Sequence, residues 1–218
     1  MIRNVVFDVG NVLVKLHYQP FIGYLAGAGV DLSDLQGWLK AIDLEGHERG
    51  DLAGEVLLQR IAATASRPLD PAELRTRWLS MFERWDEMFE LASGLMTDYR
   101  VYLLSNIGDL HWAHLDSLYG VDTLAHGACA SFRVRAVKPH ADIYRKAESM
   151  FDLDPATTVF VDDLAANVAG ARNCGWHAIH HTDVAPTRNE AQAPCTSESR
   201  PYSPSRCCQC RSPMFDSR

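Results

Sequence analysis

The run from Asn4 to Val9 is apolar and rich in β-branched residues apart from Asn4 and Asp8, and it stops abruptly at Gly10-Asn11. A continuous apolar stretch of this length, closed by a turn signal, suits a strand buried on both faces. Such strands belong to parallel sheets covered by helices on either side. The pattern returns at Arg100-Val101-Tyr102-Leu103-Leu104, ending in Ser105-Asn106, at Thr158-Val159-Phe160-Val161, ending in Asp162-Asp163, and from Trp176 to His180. Helical stretches separate these runs: one begins near Asp109, one spans Ala141 to Met150 and one Ala165 to Asn173. Strands alternating with helices predict an α/β fold with a doubly wound parallel, Rossmann-like sheet, whose ligands bind beyond the carboxyl ends of the strands. Asp8, Ser105, Asn106, Asp162 and Asp163 fall at those ends.

Between the first two strands the spacing changes. Phe21 and Leu25, then Leu35, Trp38 and Leu39, then Val56, Leu57 and Ile61, then Leu74, Trp78, Leu79 and Phe82 recur at helical intervals, so the block from Tyr18 to about Leu91 is predicted to be all-helical. Asp31-Leu32-Ser33 and Asp70-Pro71 read as helix starts, Pro71 standing where its missing N–H costs nothing, and a further helix is expected from Asp86 to Thr97. The expected organisation is a core made of residues 1–16 and 92–182, interrupted by a helical insert at 17–91. Residues 183–218 are rich in Pro, Ser, Thr and Arg, with breakers at Pro186, Pro194, Pro201, Pro204 and Pro213, and are read as a disordered tail.

Composition excludes several classes of function. Charged residues make up 22% and hydrophobic ones 47%, which is ordinary for a globular protein. No apolar run approaches the roughly 20 residues of a spanning helix. The apolar stretch at the N-terminus is too short for a signal-peptide core, which sets a cytoplasmic expectation with no membrane partner. A formal charge of −7 and a pI near 5.7 argue against nucleic acid as the main partner, because phosphate-backbone binding needs concentrated Lys and Arg. Cys129 and Cys174 sit in apolar surroundings and read as small buried thiols, whereas Cys195, Cys207, Cys208 and Cys210 cluster in the tail without the paired spacing of a zinc site.

Four fragments carry chemistry, and each also has a plainer reading. Asp8, in Phe7-Asp8-Val9-Gly10-Asn11-Val12-Leu13, could be a nucleophile or simply a turn former. Ser105-Asn106 could hydrogen-bond a phosphate or signal a helix start. Lys138-Pro139 could set a fixed cation against two anions, or be a surface lysine. Asp162-Asp163 repel each other unless a divalent cation relieves them, and otherwise suit a solvated helix start.

Taken in order, with their strand-end placement, these fragments resemble the motif set of the haloacid dehalogenase-like hydrolases over about residues 1–182. The resemblance implies a phosphatase that acts on a small phosphorylated metabolite. Asp8 would be the phosphoryl-accepting nucleophile, with Ser105, Asn106 and Lys138 binding the phosphate. Mg²⁺ would be held by the Asp8 carboxylate, the Gly10 carbonyl and Asp163, with Asp162 as ligand or support. Two departures stand out. Arg135 occupies a position where many relatives have glycine, and Gly10 occupies the place of the second aspartate that serves most of these phosphatases as general acid and base.

The Asp-x-Gly-Asn-Val form, with Gly46-His47-Glu48-Arg49-Gly50-Asp51 in the insert, looks similar to a branch that includes α-D-glucose-1-phosphate phosphatases, so a sugar phosphate is the expected substrate. The insert resembles that family's cap, with His17, Tyr18, Trp38 and His47 as candidate lining residues; Trp38 also suits a core position, and His47-Glu48-Arg49 a solvated helix end. Two alternatives stay open: 2-haloacid dehalogenation, which needs no metal, and a degenerate phosphatase that binds a phospho-ligand or partner without turnover.

Overall fold

The computed structural model describes residues 1–192. In chain order the elements are β1 (Asn4–Phe7), β2 (Val14–Leu16), α1 (Gln19–Gly27), α2 (Leu35–Ala41), α3 (Leu44–Glu48), α4 (Gly54–Ala63), α5 (Pro71–Leu79), β3 (Phe82–Arg84), α6 (Asp86–Leu95), β4 (Arg100–Ser105), α7 (Asp109–Tyr119), β5 (Ala128–Ala130), α8 (Ser131–Val134), α9 (Ala141–Phe151), β6 (Thr158–Asp162), α10 (Ala165–Asn173), β7 (His177–His180) and α11 (Val184–Gln192).

Five strands form one parallel sheet in the order β5-β4-β1-β6-β7, with β1 at its centre. This is the doubly wound α/β arrangement expected from the sequence. Successive strand residues face opposite sides, so a run that is apolar throughout feeds two cores at once. Val5, Phe7, Val101, Leu103, Val159 and Val161 pack with α6 and α7, while Val6, Tyr102, Leu104 and Phe160 pack with α9 and α10. Register follows: Phe7 pairs with Leu103 on one side and Val161 on the other, so the residues just after all three emerge at one rim. The chain leaves β1 towards β4 and β5 and then reverses to β6 and β7. That rim is therefore the topological switch point where such sheets bind ligands.

Helices α1 to α5 close around a separate cluster that includes Phe21, Leu25, Trp38, Ile42, Leu57, Ile61, Leu74 and Trp78. Pro71 and Asp70 start α5 as the sequence indicates, Asp70 accepting from the Glu73 N–H at 2.8 Å. The other expected start is displaced. Asp34, not Asp31, caps α2, while Asp31 closes a local turn with Ser33. The block is not wholly helical either, because Phe82–Arg84 pairs antiparallel with Val14–Leu16 and ties together the two chain crossings between sheet and insert. Leu74, Trp78 and Phe82 keep helical spacing across that boundary, which hid the short strand. Residues 86–91, counted with the insert in the sequence, belong to α6 and pack on the sheet through Met88, Phe89 and Leu91.

Order also extends past Asp183. Residues 184–192, where composition predicts disorder, form α11, with Pro186 in its first turn, where a helix tolerates proline. Thr187 and Ala191 are buried, and Thr187 Oγ1 lies 2.7 Å from His181 Nδ1. The rest of the expected tail, with the four clustered cysteines, lies outside the described residues. Cys129 and Cys174 are buried free thiols. Among the described residues no helix is long and apolar enough to cross a membrane.

Candidate active site

The first loop turns tightly around Val9, whose carbonyl accepts from the N–H groups of Leu13 and Val14 at 2.9 and 3.0 Å. Asn11 stands in the left-handed region at φ 51°, a conformation asparagine tolerates better than most residues. From there its amide donates to Asp163 Oδ2 at 3.2 Å and its carbonyl oxygen accepts from the Leu16 N–H at 3.1 Å, which links the loops that follow β1 and β6.

Lys138 is fully buried beneath this rim and donates to three oxygens: Asp162 Oδ2 at 2.7 Å, Asp8 Oδ1 at 2.9 Å and the Leu104 carbonyl at 3.1 Å. Burial works against its ammonium form, but Asp8 and Asp162 outweigh that and its pKa is raised. Asn106 fixes the lysine from behind, accepting from the Lys138 N–H at 2.8 Å and donating to the Lys138 carbonyl at 3.0 Å. Both ends of the Asn106 amide thus hold the lysine backbone, while the residue also lines the cavity described below.

The two adjacent acids are not equivalent. Asp162 has no exposed surface and accepts from Lys138, from the Leu164 N–H at 2.8 Å and from Asn167 Nδ2 at 3.0 Å on each oxygen. Asp163 is half-buried, and its carboxylate accepts only from Asn11 among the described side chains. Asp8 Oδ1 takes the Val9 N–H at 2.7 Å together with Lys138, which leaves Oδ2 without a hydrogen-bond partner among the described residues. Of Asp162, which ends β6, and Asp163, which follows it, Asp163 has the freer carboxylate and Asp162 holds Lys138.

Oxygens of Asp8, Asp162 and Asp163 all lie within 4.8 Å of one another. Three carboxylates face one ammonium, so the cluster carries surplus negative charge. Burial pushes Asp8 up to about 7, with Asp162 adding to the shift and Lys138 opposing it. Asp163 is raised by burial and by Asp162, against its bond from Asn11. A hard divalent cation between the carboxylates of Asp8 and Asp163, with the Gly10 carbonyl in the same loop, fits this donor set.

Ser105 is buried, and its hydroxyl, with no partner among the described side chains, opens onto a cavity of about 310 Å³ between sheet and insert. Gly10 and Asn106 share the floor. The walls are mostly apolar, with Phe21, Trp38, Leu39, Trp78, Met81 and Phe82 prominent, and Tyr18, His47 and Glu48 add polar atoms. Of the candidates, Tyr18, Trp38 and His47 line this space, and Trp38 also belongs to the insert's core. His17 does not; it is exposed and pairs with Glu83 at 2.9 Å. Arg135 adopts the left-handed cap of α8, at φ 54°, which a glycine would take without strain, and its side chain reaches Asp51 of the insert. Ser131, at the start of α8, joins the insert to the core. Its hydroxyl donates to the Glu48 carbonyl at 2.6 Å and accepts from the Ile107 N–H at 2.9 Å.

Residues 2–175 match the model of the haloacid dehalogenase-like hydrolases. The chain belongs to this family. Among its relatives is the D-ribitol-5-phosphate phosphatase of Bacteroides thetaiotaomicron, 25% identical over 199 residues that cover 87% of this chain and 97% of that one. A sesquiterpene phosphatase of Aspergillus oryzae is 26% identical over 183 residues, 83% of this hydrolase and 90% of the relative. The fold matches that of a HAD family enzyme from Bacteroides thetaiotaomicron, solved with magnesium and inorganic phosphate, at a TM-score of 0.73 and 23% identity, over 82% of this chain and 93% of that one.

Proposed function

We propose that this chain is a magnesium-dependent phosphomonoester hydrolase, acting in the cytoplasm on a small phosphorylated metabolite through an aspartyl phosphate on Asp8. The observation that carries the reading is the Asp8 Oδ2, without a partner among the described residues and held beside buried Lys138 and half-buried Asp163, in the loop whose Gly10 lines the cavity together with Ser105. Asp8 Oδ2 attacks phosphorus in line, Ser105 donates its hydroxyl to a phosphoryl oxygen, and Lys138 sets its charge beside the attacking carboxylate. Asp162 and Asn106 keep that ammonium in place. The carboxylates of Asp8 and Asp163 and the Gly10 carbonyl would hold magnesium, which would supply the positive charge that lets two anions approach. The insert acts as the cap that excludes water and selects the substrate.

A sugar phosphate is the finer expectation, and the ribitol-5-phosphate phosphatase among the relatives supports it. A second reading is favoured by the cavity walls: Trp38, Leu39, Phe21 and Met81 suit a monophosphate with an apolar body, and one relative is a sesquiterpene phosphatase. Phosphate release from a polyol phosphate and from a prenyl monophosphate, measured with Mg²⁺ and again after chelation, tests both levels. Turnover of either that vanishes on chelation supports the hydrolase, and the ratio of kcat/KM values selects the substrate class. Metal-independent release of halide from a 2-haloacid, with no phosphate release, would replace the reading by dehalogenation.

A further inference from the structure

We propose that Glu48 of the insert is the acid and base of this reaction, replacing across the cavity the carboxylate that the chain lacks at Gly10; the proposal rests on the phosphatase reading above. Glu48 ends α3 and lines the same cavity as Gly10 and Ser105. Its backbone is pinned to the catalytic floor by Ser131, whose hydroxyl joins the Glu48 carbonyl to the Ile107 N–H, two residues after Ser105. Gly50 seals this approach: at φ +83° it runs so close to the Phe132 carbonyl that a Cβ would collide with it.

Neighbouring carboxylates of the insert are all engaged, Asp43 with Arg60, Glu45 with Arg49, and Asp51 with Arg49 and Arg135. The Glu48 carboxylate is half-buried and has no hydrogen-bond or ion-pair partner among the described residues. Burial pushes it up to about 7, Glu45 adding to the shift and Lys138 of the core opposing it, so it can both hold and release a proton at neutral pH. The histidines of the lining do not compete. Burial drives His111 down to about 3, with its Nε2 2.9 Å from the Trp78 carbonyl, while His47 places Nδ1 3.0 Å from the Leu52 carbonyl and packs Nε2 against Gly108. At Gly10 itself an added Cβ would meet nothing within 4 Å.

In the first half-reaction the bond from Asp8 Oδ2 to phosphorus forms and the bond from phosphorus to the leaving oxygen breaks, while protonated Glu48 gives its proton to that oxygen. In the second, Glu48 takes a proton from water as the water oxygen bonds to phosphorus and the Asp8 carboxylate departs. Phosphomonoester and water thus become alcohol and phosphate, with Glu48 protonated again.

The test compares the full-length, Mg²⁺-loaded wild type with Glu48→Gln on two substrates. One is a primary alkyl phosphate, whose leaving group needs a proton; the other is p-nitrophenyl phosphate, whose leaving group does not. Glu48→Gln is expected to lose about 10²–10³-fold in kcat/KM on the alkyl phosphate. On the aryl phosphate it is expected to give a stoichiometric burst followed by slow turnover, and the limb of the pH–kcat profile near neutrality disappears. Gly10→Asp placed in the Glu48→Gln background is expected to recover about tenfold or more on the alkyl phosphate. Equal losses on both substrates without a burst, or alkyl turnover within about threefold of wild type, overturn the assignment. If Glu48→Gln does not fold, Glu48→Asp carries the test: the proposal expects its neutral limb to persist and is overturned if the pH profile is flat. A wild type that hydrolyses neither substrate, and behaves like Asp8→Asn, defeats the phosphatase reading itself.

Discussion

On the sheet rim Lys138, Asp162 and Asn106 are fully engaged with one another and only the groups that face the cavity or its edge stay open, whereas across the cavity the insert offers mostly apolar walls and, among the described residues, the unpaired carboxylate of Glu48. Lys138 reaches three oxygens, Asp162 accepts from three residues, and Asn106 clamps the lysine backbone from both ends of its amide. Glu48, facing them, is held only through its carbonyl. A floor of this kind fixes charge in one place and tolerates little change among its buried members, because removing one buried partner strands the others. A roof of this kind selects by shape and burial, and it can be altered by degrees.

Replacing the cation breaks the comparison most severely. Lys138→Met leaves the carboxylates of Asp8 and Asp162 facing each other without their shared donor. It is expected to cost about 3–5 kcal/mol in denaturant unfolding and to abolish turnover. Asp163→Asn separates the two adjacent acids: the Mg²⁺ concentration for half-maximal activity should rise more than about tenfold, equivalent to about 1.4 kcal/mol, with little loss of metal-free stability. Asp162→Asn should do the reverse, lowering stability because Lys138 loses its shorter partner.

On the roof, Leu39→Asn is expected to reduce kcat/KM for an apolar monophosphate by about 10–100-fold, and for a polyol phosphate far less. The smallest effect concerns the joint between the two regions. His111 of α7 stacks on Trp78 of the insert at 4.5 Å and is kept neutral by burial, its pKa falling from 6.5 to about 3. A histidine depressed in the folded state contributes stability that is present above its unfolded pKa and is lost as pH falls through 6.5 towards 3. Thermal unfolding of the wild type should therefore weaken over that window, and His111→Gln should flatten the slope.

The two regions also differ in how far the sequence discloses them. β1, β4 and β6 are unbroken apolar runs that end in acids or Ser-Asn, so the convergence of Asp8, Ser105, Asp162 and Asp163 follows from strand alternation and register alone. Lys138 is legible by motif, but its burial among three acceptors is not, since a lone lysine carries no periodic signal. The division of labour between Asp162 and Asp163 depends on Asn167 and Leu164 turning back onto one acid only. β5, three small residues long, and β3, masked by helical spacing, leave no pattern to read. Glu48 was hidden for a related reason. In His47-Glu48-Arg49 it looks like the end of a solvated helix, and only the folded insert brings it, half-buried, to the cavity.

The most direct test is to quench the Mg²⁺-loaded wild type in acid during turnover of p-nitrophenyl phosphate and map covalent phosphate by mass spectrometry. Phosphate on the peptide that carries Asp8, absent from Asp8→Asn and from the chelated enzyme, is the expected result. Steady phosphate release by Asp8→Asn at the wild-type rate, with no modified peptide in either protein, would contradict it.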